Sequence, residues 1–226
     1  MDKYSLPLEG GKFYHIYNQG NNRENIFYSS DNYEYFLHKF DEYLSDFVDV
    51  YAYCLMPNHF HFLIRVKELG ELETSSSHFL QNRPNRPARF SKPCRSGKPS
   101  AELSSEPLCE LPSISEIVSN QFRLFFMSYS KSINKQIGRT GSLFRKNFKR
   151  KEITDLLYLQ QAVVYIHRNP LHHGFLVDFQ NYPWNTYSRM MEEKLTKLKK
   201  QEVLDWFGDK ANYQFVHTID VENEIE

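Results

Sequence analysis

The stretch VDVYAYCLMPNHFHFLIRV, residues 48–66, decides the fold of this chain. Two runs rich in β-branched and aromatic residues are broken by Met56-Pro57-Asn58, and proline cannot continue a paired central strand, so the stretch predicts a hairpin. Residues 48–55 form the outgoing strand and residues 59–66 the returning one. The returning strand begins His59-Phe60-His61. Side chains two apart on a strand point the same way, which puts both imidazoles on one face, about 7 Å apart along the chain, and turns Phe60 to the other. Two imidazoles so placed can converge on one metal ion, while Phe60 belongs in a core.

Upstream, KFYHIYNQ at residues 12–19 alternates apolar and polar positions and predicts a first strand, followed by the turn-rich Gly20-Asn21-Asn22-Arg23. Asp31 is placed to cap a helix over about residues 32–45, whose apolar stripe is Tyr35, Phe36, Phe40, Tyr43 and Leu44. Downstream, residues 70–113 change character. They hold Ser75-Ser76-Ser77 and six of the ten prolines and show little apolar periodicity, which predicts a disordered or loosely tethered insertion. Ser115 then caps a helix to about Gln136, with Ile117, Phe122, Phe125, Phe126, Tyr129 and Ile133 as its buried side. After Gly138 and Gly141, residues 142–153 read as a basic strand. Thr154 or Asp155 caps a last helix to about His167, stopped by Asn169-Pro170. Residues 171–189 read as a wrapping loop anchored by Trp184. The order of elements matches an α+β class, a ferredoxin-like split βαβ antiparallel sheet with helices on one face plus a C-terminal helix. Residues 1–190 are expected to form one domain around the insertion, and residues 191–226 a charged C-terminal tail whose acidic run, 220–226, frays.

With 226 residues the chain can bury a core without staples. Its three cysteines, Cys54, Cys94 and Cys109, show no CxxC spacing, which favours neither a disulfide framework nor a cysteine zinc site and suggests a reducing cytoplasm. The first residues lack the pattern of a signal peptide and no apolar stretch approaches the roughly 20 residues that span a bilayer, so a cytoplasmic protein with no membrane partner is expected.

Net charge is zero, yet the charges are unevenly placed. Residues 121–170 carry ten basic residues against only Glu152 and Asp155. The densest part is Arg145-Lys146-Asn147-Phe148-Lys149-Arg150-Lys151, where an aromatic sits among cations as on a surface that neutralises phosphates and stacks bases. The same run also suits a solvated strand edge. On the last helix, Tyr158, Gln161, Ala162, Tyr165 and Asn169 recur at offsets of three or four, so Tyr165 and Asn169 lie one turn apart on one side. If that helix packs over the histidine face, the Asn169 amide oxygen completes a His-His-Asn site and Tyr165 points at whatever a metal polarises. On spacing alone a tyrosine at helical intervals is usually a core residue and an asparagine before proline usually a helix stop.

Taken together, YHIYNQGNNRENIF (residues 14–27), LMPNHFHFLI (55–64), GRTGSLFRKNFK (138–149), YIHRNPLHHGF (165–175) and YPWNTY (182–187) resemble the single-tyrosine HUH transposase superfamily, and within it the REP-associated tyrosine transposases. The resemblance covers most of the chain outside the insertion and the tail. It implies a DNA strand-transfer enzyme that cleaves and rejoins single-stranded or hairpin DNA through a 5′-phosphotyrosine intermediate. It also implies Tyr165 as nucleophile, with His59, His61 and Asn169 as ligands of a divalent cation, Mg²⁺ or Mn²⁺. Strand contacts are expected from Asn18, Asn22, Arg23, Arg145, Lys146, Lys149, Arg150 and Lys151. Members act as monomers or homodimers, so either is expected here. The competing readings are another HUH endonuclease, such as a replication or mobilisation initiator, and a non-catalytic single-stranded nucleic-acid-binding module.

Overall fold

The computed structural model describes residues 6–72, 112–175 and 178–219. In chain order the elements are β1 (Phe13–Gln19), a single 3₁₀ turn (Asn21–Arg23), α1 (Ser30–Leu44), β2 (Val48–Met56), β3 (His59–Val66), α2 (Ile114–Gln136), β4 (Lys149–Ile153) and α3 (Leu156–His172). Three shorter helices follow, α4 (Tyr187–Met191), α5 (Lys200–Trp206) and α6 (Lys210–Thr218). The expected insertion lies almost wholly outside the described residues.

The four strands form one sheet in the order β2-β3-β1-β4. Every pairing is antiparallel, with Met56 opposite His59 across the hairpin and Tyr17 opposite His61 across the β1–β3 pair. This is the expected α+β split βαβ sheet: β3 returns between β2 and β1, and β1 lies between β3 and β4.

Both faces of the sheet are buried, and strand parity assigns each residue to one of them. Tyr14 and Ile16 of β1 and Phe60, Phe62 and Ile64 of β3 pack against Phe36 and Phe40 of α1 and Phe122 and Phe125 of α2. The opposite parity, with Leu63 and Ile153, packs against Val163, Tyr165 and Ile166 of α3 and against Val203 and Tyr213 further on. A register shift between Val50 and Ala52 turns both Tyr51 and Ala52 toward this second face, as a β-bulge does. Because β3 is covered on both sides, a one-residue slip would exchange its phenylalanines for its histidines, which fixes the register firmly.

Several boundaries differ from the sequence expectation, each for a local reason. Helix α1 starts two residues early with Ser29 at the N-cap position, and Asp31 sits in its first turn. Helix α2 is capped by Ser113 in a capping box with Glu116, while the Ser115 hydroxyl accepts the Leu8 N–H. The basic strand is only Lys149–Ile153. Residues before it form an irregular strap, bridged to the end of β1 at Gly20 and Phe144. Helix α3, capped by the Asp155 side chain, runs through Pro170 to His172. Proline removes one backbone hydrogen bond there, but Asn169 and Pro170 are buried, and the chain leaves the helix just beyond His172 through Gly174, whose φ of 62° a residue with a Cβ adopts poorly.

The largest correction concerns the tail. Residues 200–218 are two helices whose Val203, Leu204, Phe207 and Tyr213 join the second core. High charge density concealed a helical apolar stripe too short to stand out in sequence. The acidic run at 220–226 lies outside the described residues.

Phe60 is 1 % exposed and its ring packs against Phe36, Phe62, Phe126 and Phe144. Phe60→Ala is expected to lower stability by about 3–5 kcal/mol. Urea unfolding of the variant checks this, and a loss under about 1 kcal/mol would contradict a closed aromatic core at this position.

Candidate metal and nucleotide site

The site stands where β3 begins. Pro57 and Asn58 make the two-residue turn before it, and their carbonyls accept the N–H groups of Ile26, Phe27 and Gly20, so the loop after β1 docks on the turn. Gly20 is required by that docking, because a Cβ there would lie 2.0 Å from the Glu24 carbonyl oxygen. From this turn β3 sends His59 and His61 to the second face, with ring centroids 5.3 Å apart and planes nearly perpendicular.

Helix α3 is laid over that face and pinned there by buried polar contacts. His167 reaches Thr186 Oγ1 through Nε2 at 2.8 Å and His217 of α6 through Nδ1 at 2.9 Å. Thr186 in turn bonds the Tyr53 backbone of β2. The helix thereby brings Asn169 Oδ1 to 2.8 Å from His59 Nε2. It also stands the Tyr165 ring edge-on to His61 at 5.7 Å and to His15 at 5.9 Å. The four residues singled out in the sequence, His59, His61, Tyr165 and Asn169, are one cluster.

Residues that sequence reasoning passed over complete it. His15 of β1 lies with Nε2 2.9 Å from His61 Nδ1, and Tyr17 stacks on both His15 and His61. Asn58 Oδ1 lies 2.6 Å from His59 Nδ1, and the His173 ring meets His59 edge-on at 4.5 Å. His15 and Tyr17 could have been found by parity, since Tyr14 and Ile16 claim the other face of β1. Asn58 and His173 carried no such signal, because only the hairpin turn and the end of α3 bring them in.

Among the described residues seven buried side-chain polar atoms have no hydrogen-bond partner, and His15 Nδ1, His61 Nε2 and Asn169 Nδ2 are three of them. Each such atom costs about 1–3 kcal/mol, so the fold spends stability at this point. No group of three His, Cys, Asp or Glu side chains among the described residues is arranged to hold a metal ion. The donor set to be tested is therefore two imidazoles and an amide. It fits a divalent cation on two observations. His61 Nε2 is buried and unpartnered. His59 faces an amide oxygen at each nitrogen, yet a neutral imidazole donates through only one, so the other contact has room for a cation to be shared between the ring nitrogen and the amide oxygen. The 2.8 Å between His59 Nε2 and Asn169 Oδ1 is close to the roughly 3 Å expected between adjacent ligands of an octahedral cation at about 2.1 Å.

In front of the histidines a cleft of about 760 Å³ is lined by His59, His61, Tyr17, Asn18, Arg23, Arg145, Lys146, Lys149 and His173, with Asn25, Asn147 and Phe175 among the rest. Lys149 lies over the Tyr17 ring at 5.2 Å, the arrangement of a cation beside a stacking platform. All three non-glycine residues of positive φ among those described, Asn22, Arg23 and Asn147, border this region, which concentrates backbone strain where ligand-binding loops commonly carry it. The expected contact residues divide. Arg23, Arg145, Lys146 and Lys149 face the cleft, whereas Lys151 lies over the Tyr158 ring, away from its lining. Asn22 is exposed in the turn beside it. Asn18 is committed internally, its amide donating to the Arg145 carbonyl and accepting the Gln19 N–H. Arg150 departs from the set: alternation turns it to the other face, where it donates to Ser119 and covers the Phe148 ring.

The chain is thus a split βαβ sheet with a tyrosine-bearing helix laid over a histidine pair. The chain is similar to a solved structure of a REP-associated tyrosine transposase bound to a REP hairpin, at 14 % identity and a TM-score of 0.53, over 84 % of this chain and 85 % of that one. The resemblance carried by the sequence motifs is thus met at the level of the fold. No protein-family model and no curated protein matches the chain. No helix among the described residues is long and apolar enough to cross a membrane.

Burial disfavours the charged form of two of the site's imidazoles, His15 and His61. His15 is pushed from 6.5 down to about 3, by desolvation first and then by Lys151. His61 falls well below its usual value by desolvation and then by His15. His167 and His217 shift the same way by burial, the latter to about 4. Lowered folded values mean that the unfolded chain takes up protons first, so stability is full above pH 6.5 and falls as pH drops from there toward about 3–4. Each histidine contributes up to about 1.4 kcal/mol per pH unit in that window. Urea unfolding of metal-free protein between about pH 7.5 and about pH 5 is expected to show the decline, and a flat profile would refute neutral burial.

Proposed function

We propose that the chain is a metal-dependent DNA strand transferase that cleaves and rejoins single-stranded or hairpin DNA through Tyr165. The observation that carries this reading is the convergence of Tyr165, His61, and the His59–Asn169 pair behind one cation-lined cleft. Nothing in a packing role calls for three unpartnered buried polar atoms in one place, whereas a phosphoryl-transfer site does. The fold it shares with a REP-associated tyrosine transposase supports the reading.

The residues divide the work as their positions suggest. Arg23, Arg145, Lys146 and Lys149 hold the backbone of an unpaired strand, and Tyr17 supplies an aromatic face beside them. Tyr165 attacks the scissile phosphorus as its phenolic proton passes to solvent, and the departing 3′ oxygen takes up a proton in return. A Tyr–O–P bond forms and the bond to the 3′ oxygen breaks, leaving a 5′-phosphotyrosine and a free 3′-hydroxyl. Because the phosphodiester is exchanged for another ester of similar energy, the 3′-hydroxyl of a second strand can reverse the step without ATP. His59, His61 and Asn169 would hold Mg²⁺ or Mn²⁺, which supplies Lewis acidity to the phosphate as charge builds on its oxygens. Helix α3, clamped by His167, keeps Tyr165 at a fixed height over that set.

Incubating labelled hairpin DNA with the protein and Mg²⁺ or Mn²⁺ is expected to give a denaturation-resistant adduct that maps to Tyr165. Tyr165→Phe should bind the hairpin and form no adduct, Tyr158→Phe should retain it, and His59→Ala or excess EDTA should abolish it. An adduct on any other residue, or undiminished cleavage in EDTA, would overturn the assignment. No adduct under any of these conditions, with hairpin binding intact, would leave a binding module in its place.

Neutralising Arg145, Lys146 and Lys149 together is expected to flatten the salt dependence of hairpin binding by about two to three units of slope, at roughly 0.7–0.9 per phosphate contact. Arg150→Gln should leave the slope unchanged, since that side chain is on the other face. Equal effects from both variants would move the DNA path.

A further inference from the structure

Each metal-directed histidine has its second ring nitrogen held by a residue outside the ligand set. For His61 that residue is His15, with Nε2 2.9 Å from Nδ1. For His59 it is Asn58, with Oδ1 2.6 Å from Nδ1. The orientation of Asn58 is set independently, because its Nδ2 donates to the Arg23 carbonyl at 3.4 Å, which turns Oδ1 toward His59. Both amide oxygens accept, and the shorter contact, 2.6 Å to the separately tied Asn58 against 2.8 Å to Asn169, favours the proton on Nδ1, which leaves Nε2 bare on the Asn169 side.

The same logic has to hold at His61 if its unpartnered Nε2 is to bind anything positive. A neutral His61 has one proton. If His15 donated to it, that proton would sit on Nε2 and block the site. If His61 donates through Nδ1, Nε2 is bare, and His15 carries its own proton on Nδ1, the atom the fold leaves buried without a partner. His15 is fully buried between Tyr17 and Tyr165, and both rings keep it from turning away.

We infer that His15 and Asn58 are positioning residues that fix His61 and His59 in the Nδ1–H tautomer, so that both imidazoles present bare Nε2 atoms to one cation before it arrives. Partners of this kind typically change metal affinity about 10- to 100-fold when removed. The inference rests on the metal site of the proposed function, but the tautomers belong to the metal-free chain and are measured there.

The test uses the full chain without metal, labelled with ¹⁵N at histidine, at about pH 8, well above the usual histidine value. Long-range ¹H–¹⁵N correlations are expected to show pyridine-like Nε2 and protonated Nδ1 for both His59 and His61. His15→Phe should scramble His61 alone, and Asn58→Leu should scramble His59 alone. Each should weaken Mn²⁺ binding, followed by the free-ion resonance, by about 10- to 100-fold. His15→Gln, which retains an acceptor oxygen, should recover part of the loss. A proton on Nε2 of either histidine in the wild-type chain overturns the inference. So does a folded His15→Phe or Asn58→Leu with unchanged tautomer and Mn²⁺ affinity. Should His15→Phe not fold, the wild-type tautomers and His15→Gln decide. Wild-type protein that shows both tautomers yet binds no Mn²⁺ and forms no adduct would sink the proposed function and leave the orienting roles standing.

Discussion

The alternation of β3 between two buried faces is the constraint on which the rest of this molecule depends. Most antiparallel sheets of this size keep one face wet, and an inward histidine there is quickly satisfied by water. Here α1 and α2 cover one side and α3 with the C-terminal helices covers the other. His59 and His61 are therefore committed to the second face, at the floor of the cleft, by the same register that commits Phe60 and Phe62 to the aromatic core. Each imidazole needs a neighbour for each nitrogen it cannot leave bare, and the neighbours come from β1, the hairpin turn and α3.

That arrangement explains why so much of the polar chemistry gathers in one place. His15, His61, His59, Asn58 and Asn169 run as a chain of contacts under 3 Å, interrupted only between the rings of His61 and His59. A second buried chain, through His217, His167 and Thr186, ties α3 to α6 and β2. The first chain holds the atoms proposed to bind the metal, and the second fixes the helix that carries Tyr165. The C-terminal helices, far from the cleft in sequence, thereby bear on the geometry of the site.

The cleft shows a similar separation of tasks. Basic residues adjacent in sequence part company in space because strand alternation sends Lys149 to the platform of Tyr17 and Arg150 to Ser119 and Phe148. A run of cations is thus not one surface. The strap before β4, tied to the end of β1 through the Asn18 amide and the Gly20–Phe144 bridge, carries the remaining cations to the cleft mouth.

Local pattern was enough to determine the hairpin, the face shared by His59 and His61, the opposite placement of Phe60, the order of the first seven elements, and the one-turn spacing of Tyr165 and Asn169. All of these follow from period 2 in strands and period 3.6 in helices, which sequence displays directly. Tertiary structure alone decided the rest. It laid α3 on the histidine face, passed it through Pro170 where the local rule would have ended it, and folded a charged tail into two docked helices. It also brought His15 and Asn58 against the ring nitrogens. A neighbour across a sheet or a turn is set by the packing of whole elements, and no periodicity along the chain records which residue that neighbour will be.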